Sequence, residues 1–322
     1  MLRSKSLHAS LGALAALLLP LAAGAQDTKP DFLDDSALRA AYALPASQFV
    51  EIDGEPVHFV DEGKGPPLLL LHGSFASLRQ WDEWAKVLSR HYRVIRFDQS
   101  PAGLSGPNPA GDYSIEHRNR IVDGLMDRLG IERFTIVGTS SAGTPTAAYA
   151  AARPERVQAV VLANIAAGKI NLDYSTLPET LKAALAADQT HPGWHGEEYW
   201  RQILLANVVD KSRVTPELVE RWTQINNRMM RDPQVAKDVF AASSLERTSA
   251  DLARITAPTL LLWSAQDHET TLEAHGVKAF EALAARDKTL EVVPSCGHMM
   301  PLDCPARSLE RLEPFLERVT AK

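Results

Sequence analysis

Cysteine is nearly absent. The 322-residue chain has two, Cys296 and Cys304, too few for a fold held by a disulfide framework. No Lys- or Arg-rich block occurs and the formal net charge is −6, which argues against nucleic acid or an anionic membrane surface as a partner. Repeats and low-complexity tracts are missing beyond the first residues. The apolar stretch at 11–22 is short and ends in small residues, a poor fit to a membrane span. What is present is 45% hydrophobic content in a length suited to one large domain with an insertion.

That apolar stretch follows Arg3, Lys5 and His8 and ends at Ala23-Gly24-Ala25, an A-x-A site before Gln26. The pattern is that of a cleaved secretory signal peptide over 1–25, with an uncleaved anchor as the alternative. Cleavage after Ala25 removes Arg3 and Lys5, shifts the formal net charge from −6 to −8, and predicts a periplasmic or secreted chain with no stable membrane insertion.

The most informative local feature lies far downstream, in Phe134-Thr135-Ile136-Val137-Gly138-Thr139-Ser140-Ser141-Ala142-Gly143. A short β-branched and apolar run ends in small-x-Ser-x-small before an alanine-rich helical stretch. This is the pattern of a nucleophile elbow, a turn so sharp that only small residues fit two positions either side of the serine. Gly138 and Ala142 meet that demand around Ser140. Moving the frame to Ser141 would put Thr139 where a small residue is needed.

Periodicity supplies the frame around it. Strands are expected at 49–52, 57–61, 67–71, 92–97, 134–137 and 157–163, with helices at 78–90, 115–129 and 142–153. Strands alternating with helices imply a mostly parallel central sheet flanked by helices, an α/β fold. The alternation fails from Gly168 to Arg254, where helical stretches follow one another, and it resumes with a strand at 258–264, a helix at 272–285, a strand at 289–293 and a helix at 306–319. The expected organisation is a core over 26–167 and 255–322, interrupted by an inserted helical cap over 168–254.

The resumed strands run into Asp267 and His298. A serine hydroxyl is a poor nucleophile near neutral pH, so an imidazole must take its proton and a carboxylate must orient that imidazole. Residues just past strand C-termini collect on one edge of a parallel sheet. Ser140, Asp267 and His298 all sit there, in the order Ser…Asp…His.

With these residues in place, the chain resembles the α/β-hydrolase superfamily from about Phe49 to the C-terminus. His72-Gly73-Ser74 resembles its HG oxyanion-loop motif and Asp98-Gln99-Ser100-Pro101-Ala102-Gly103-Leu104-Ser105 its D-x-P-G-x-G-x-S loop. Trp263-Ser264-Ala265-Gln266-Asp267 resembles its acid loop, and Gly297-His298 with Asp303-Cys304-Pro305 its histidine loop. The resemblance implies an oxyanion hole from the backbone N–H groups of Ser141 and Ser74. Three residues depart from the pattern: Ala142 for the commoner glycine, Pro101 where the family usually has glycine, and Pro145 just inside the helix after the nucleophile. An aspartate nucleophile, as in halide-cleaving or epoxide-opening relatives, is excluded by Ser140.

Other residues read more plainly. Asp303 is expected to cap the last helix rather than serve as a second catalytic acid, Asp98 to stabilise its loop, and His72 to hydrogen-bond beneath the oxyanion loop rather than shuttle protons. His191 and His195 with Glu197 and Glu198 suggest a metal site, but Pro192-Gly193 breaks the helix such a site needs. Trp194, Tyr199, Trp200 and Trp222 are cap core, with Trp194, Trp200 and Trp222 the candidates to line a pocket. Arg228 and Arg231 read as a solvated helix face, with a carboxylate clamp as the alternative. Cys296 and Cys304 flank His298; they form either a bridge closing a nine-residue loop or two packed thiols.

The expected activity is that of an exported serine hydrolase acting on a small or medium ester or lactone, with no cofactor and a small-molecule substrate as its partner. A C–C bond hydrolase or amidase on the same scaffold is the alternative, and a non-catalytic binding module is the third reading. With His298 as base, activity should rise through an apparent pKa near the ordinary histidine value of about 6.5.

Overall fold

The computed structural model describes residues 29–170, 174–242 and 245–321. The signal peptide expected over 1–25 lies outside the described residues.

Eight strands form one sheet: β1 (Ser47–Ile52), β2 (Glu55–Glu62), β3 (Pro67–Leu71), β4 (Arg93–Phe97), β5 (Phe134–Thr139), β6 (Val157–Ala163), β7 (Thr259–Ser264) and β8 (Lys288–Val293). Their spatial order is β1-β2-β4-β3-β5-β6-β7-β8. β1, β2 and β4 pair antiparallel, and β4 through β8 are parallel throughout. β3 is the switch point: the chain leaves it toward β4 on one side and returns through β5 on the other. Ligands bind at such crevices, because the loops leaving the two strands diverge there.

The central strands are apolar because both faces are covered. In β3, Leu69 and Leu71 face one cluster with Phe134, Ile136 and Tyr149, while Leu68 and Leu70 face another with Trp81, Trp84 and Leu312. Leucine has little intrinsic preference for strands. Burying four of them stabilises by about 6–12 kcal/mol, so packing decides the conformation.

Helices cover both faces. After α1 (Asp35–Tyr42) come α2 (Asp82–Leu88), α3 (Ile115–Arg128) and α4 (Gly143–Ala152). Between β6 and β7 the described residues form helices only: α5 (Glu179–Asp188), α6 (Glu197–Ala206), α7 (Pro216–Met229), α8 (Pro233–Ala242) and α9 (Thr248–Leu252), with short 3-10 turns. The chain closes with α10 (Val277–Ala282), α11 (Met300–Asp303) and α12 (Pro305–Thr320). α7 starts where the sequence signals it: Thr215 accepts a hydrogen bond from the Leu218 N–H and Pro216 opens the first turn, where a missing N–H costs nothing.

Several boundaries differ from expectation. α1 forms where the sequence leads to no expected element; Asp34 caps it and Leu38 is buried against Leu104 and Ile225. Only tertiary contact makes so short a helix persist. The expected helix at 272–285 is a π turn, Leu272–Gly276, followed by α10, which ends at Ala282.

Candidate active site

β5 ends at Thr139, and Ser140 turns the chain into α4 through a 3-10 turn, with φ of +53°. A positive φ is uncommon for a residue with a side chain and signals stored strain; here it lifts the Ser140 hydroxyl out of the sheet edge. The elbow is sterically closed. A Cβ on Gly138 would lie 2.1 Å from Thr146 Oγ1, and one on Gly73 would lie 3.0 Å from Ser140 Cβ. Leu71 pairs with Gly138 across β3 and β5, and this register brings the His72-Gly73-Ser74 loop against the nucleophile turn. Ser74 Oγ donates to Ser141 Oγ at 2.8 Å, so the two residues expected to offer oxyanion N–H groups belong to abutting loops.

Ser264 pairs with Val293 across β7 and β8, and the Gln266 N–H donates to the Cys296 carbonyl at 3.0 Å. The acid and histidine loops therefore run side by side. His298 Nε2 lies 2.9 Å from Ser140 Oγ, and its Nδ1 lies 2.8 Å from Asp267 Oδ2. Asp267 Oδ1 also accepts the N–H groups of Glu269 and Thr270, each at 2.8 Å. Burial alone would raise the Asp267 pKa, but the His298 charge and these hydrogen bonds outweigh it and hold the carboxyl below its ordinary value. Burial alone would lower His298; the carboxylates of Asp267 and Glu269 overcome it and push His298 up to about 9. That departs from the ordinary value expected from sequence.

Glu269 was not singled out in the sequence. Its Oε2 stands 3.8 Å from His298 Nε2 with the side chain 18% exposed, and burial pushes its carboxyl pKa up. Nothing local marks a glutamate two residues beyond the acid as facing the base. Asn164 was missed too. Just past β6, with φ of +47°, it donates to the His298 carbonyl at 2.9 Å and to Ser264 Oγ at 2.8 Å, and accepts the Ser264 N–H at 2.7 Å. Its one legible signal is an asparagine directly after a strand, since asparagine tolerates positive φ.

The supporting loops are tightly held. Asp98, 1% exposed, accepts from the N–H groups of Leu78 and Leu104, each at 2.6 Å, and lies 2.6 Å from His58 Nδ1. His72 Nε2 accepts the Gln99 N–H at 2.9 Å while Nδ1 contacts the Gly73 carbonyl; burial lowers its pKa, which suits a neutral ring. The Ser100–Pro101 peptide is cis.

Two expectations are corrected. Asp303 does not cap the last helix, which has no side-chain cap. Its carboxylate instead accepts the N–H groups of Gly297 (2.6 Å), Val209 (2.9 Å) and Asp210 (2.8 Å), tying the histidine loop to the α6–α7 connection. Arg228 is not on a solvated face. It is 6% exposed, pairs with Asp35 at 2.9 Å and donates to the Gly103 carbonyl at 2.7 Å, because α1 supplies a carboxylate where the sequence reading expects solvent. Arg231 shares Asp35 at 3.2 Å and is exposed, as expected.

The helices between β6 and β7 pack around their own aromatics. Trp200 is fully buried, 5.4 Å from the Phe75 ring and edge-on to Tyr199. Trp194 stacks on His191 and Tyr199 on His195; both histidines contact Asp188. Of the three tryptophan candidates, Trp222 lines a cavity beside the oxyanion and histidine loops, shared with Phe75, Gln80, Met299 and Arg221. The Arg221 guanidinium makes no ion pair or hydrogen bond among the described residues. Burial and the neighbouring Arg79 lower its pKa, with Asp82 partly offsetting them. Cys296 and Cys304 are bonded in a disulfide with Cα atoms 5.6 Å apart.

A model of the alpha/beta hydrolase fold matches residues 66–305, which spans the oxyanion loop, the elbow, the acid loop and the histidine loop. The chain belongs to the α/β-hydrolase family. It is 28% identical over 75% of its length to a 2-hydroxy-6-oxononadienedioate/2-hydroxy-6-oxononatrienedioate hydrolase of Comamonas testosteroni, covering 84% of that protein. Among solved structures it resembles a meta-cleavage product hydrolase of Pseudomonas fluorescens (24% identity, TM-score 0.67, 84% of this chain and 97% of the other). It also resembles an enol-lactonase of Burkholderia xenovorans (23% identity, TM-score 0.66, 84% and 99%). At these identities the structural likeness establishes the fold.

Proposed function

We propose that the chain is an exported serine hydrolase that cleaves a small or medium ester or lactone through an acyl-enzyme on Ser140. The observation that carries this reading is the unbroken relay from Ser140 Oγ to His298 Nε2 at 2.9 Å and from His298 Nδ1 to Asp267 at 2.8 Å. Ser140 attacks the acyl carbon while His298 takes its proton and then delivers it to the leaving group. Asp267 fixes the ring tautomer and stabilises the imidazolium. The N–H groups of Ser74 and Ser141 bind the oxyanion, each worth about 2.7–4 kcal/mol in the transition state. Water then releases the acid, and the cycle calls for no cofactor.

A second reading, cleavage of a C–C bond, is favoured by one feature. Arg221, which makes no direct ion pair among the described residues, borders the cavity between the oxyanion and histidine loops, where a substrate carboxylate would satisfy it; the Comamonas relative is named for a dienedioate, a carboxylate substrate. Export rests on the apolar 11–22 stretch and its A-x-A site, and a bridged cysteine pair suits an oxidising compartment.

Three measurements test this. A fluorophosphonate should label Ser140 stoichiometrically; absence of labelling removes the nucleophile and leaves a binding module. A panel of nitrophenyl esters, lactones, one amide and one 2-hydroxy-6-oxodienoate ranks the substrates, and a dienoate kcat/KM above every ester moves the conclusion to the C–C reading. N-terminal sequencing of the exported protein should begin at Gln26.

A further inference from the structure

Glu269 has no part in the relay, yet it stands at the nitrogen that matters most. Its Oε2 is 3.8 Å from His298 Nε2, the nitrogen facing Ser140 Oγ, whereas Asp267 sits on the opposite, Nδ1 side of the ring. No other hydrogen bond or ion pair of the Glu269 carboxyl group occurs among the described residues. Apart from His298, the carboxylate is withdrawn from water with no hydrogen-bond partner among the described residues, which is costly, and an apolar residue would fill the position without that cost.

Nε2 collects the proton from Ser140 and hands it to the leaving group. Whatever packs beside Nε2 therefore borders the path by which the leaving group departs. We propose that Glu269 reads the charge of the leaving group, favouring a cationic amino alcohol and rejecting an anionic one. The proposal rests on Ser140 as nucleophile and His298 as proton carrier. Two charges a few ångströms apart in a partly buried site interact with an energy between the water and the interior limits, enough for a preference of about tenfold or more.

The test uses two phosphonothioate esters identical at phosphorus. One carries 2-(trimethylammonio)ethanethiol and the other its neutral isostere, 3,3-dimethylbutanethiol. Labelling forms the Ser140 Oγ–P bond and breaks the P–S bond, with the serine proton passing through His298 to the thiolate. Rates are read by intact mass in mildly alkaline buffer. The cationic reagent should label the wild-type protein about tenfold faster or more. Glu269→Gln should bring the ratio close to one, while Glu269→Asp retains a preference. Equal rates on the wild type, or an unchanged ratio in Glu269→Gln, overturn the proposal while leaving the nucleophile intact. Failure of both reagents to label the wild type overturns the Ser140 reading and this proposal with it. Should Glu269→Gln not fold, Glu269→Met is read in its place, and with neither folded the wild-type ratio decides.

Discussion

The Asn164 side chain holds His298 by its backbone, donating to the His298 carbonyl at 2.9 Å while accepting the Ser264 N–H at 2.7 Å. One buried amide thus sets the end of β6, the end of β7 and the histidine loop in a fixed relation, and Thr270 Oγ1 adds a contact to the Asn164 carbonyl at 2.9 Å. Its short side chain reaches all three because positive φ turns it back over the sheet edge.

Asn164→Ala should therefore lower kcat by on the order of 100-fold, the cost of a base displaced by about an ångström, with KM changed far less. Unpaired buried groups left at Ser264 and His298 should also cost about 1–3 kcal/mol of stability. Steady-state kinetics and urea unfolding on the same samples check both; a stable variant with normal kcat would show that the loops hold their positions without it.

The pH profile should differ from that of an unperturbed histidine. The base must be neutral to accept the Ser140 proton, so kcat/KM should rise with pH through the His298 pKa, toward about 9. Glu269→Gln removes one of the two carboxylates that raise it and should move this limb to lower pH. The same linkage acts on stability. A pKa raised in the folded state stabilises fully below the unfolded value of about 6.5, and that contribution disappears as pH climbs through about 9. A limb near the ordinary value in the wild type would show that solvent screens both carboxylates.

Ser140→Ala should lower kcat by roughly four to six orders of magnitude. Ser141→Ala keeps its backbone N–H and loses the hydroxyl contact to Ser74, so it should retain most activity. Burst kinetics with a nitrophenyl ester distinguishes the two; the reverse ranking would move the nucleophile one residue along the turn.

Cys296 and Cys304, both buried, should resist alkylation until the protein is unfolded and reduced. Closing a nine-residue loop is worth roughly 2–3 kcal/mol in the chain-entropy account, so a Cys296→Ser/Cys304→Ser variant should lose that much unfolding free energy in a denaturant titration. Two thiols that alkylate without reduction would mean the bond is absent in solution.

Much of the architecture is written in short-range patterns. The continuous apolar run at Pro67–Leu71 marks a strand covered on both faces, and the small residues around Ser140 mark the elbow, because both depend on sterics and burial within a few residues. The helical stretch over 168–254 is legible as a break in alternation. α1 is not, since its eight residues persist through Leu38 packed on Leu104 and Ile225 and Asp35 paired with Arg228, partners far along the chain.

The sequence by itself determined the α/β class and the order of Ser140, Asp267 and His298 along three strand ends, because periodicity, turn sterics and strand polarity are local properties. Only the tertiary structure decided what surrounds them: that Glu269 stands beside Nε2, that Asn164 and Asp303 anchor the histidine loop, that Arg228 is buried on Asp35, and that Arg221 borders a cavity with no direct ion pair among the described residues. These are relations between side chains brought together by strand register and helix packing, and a charged residue's role depends on its neighbours and its burial more than on its own chemistry.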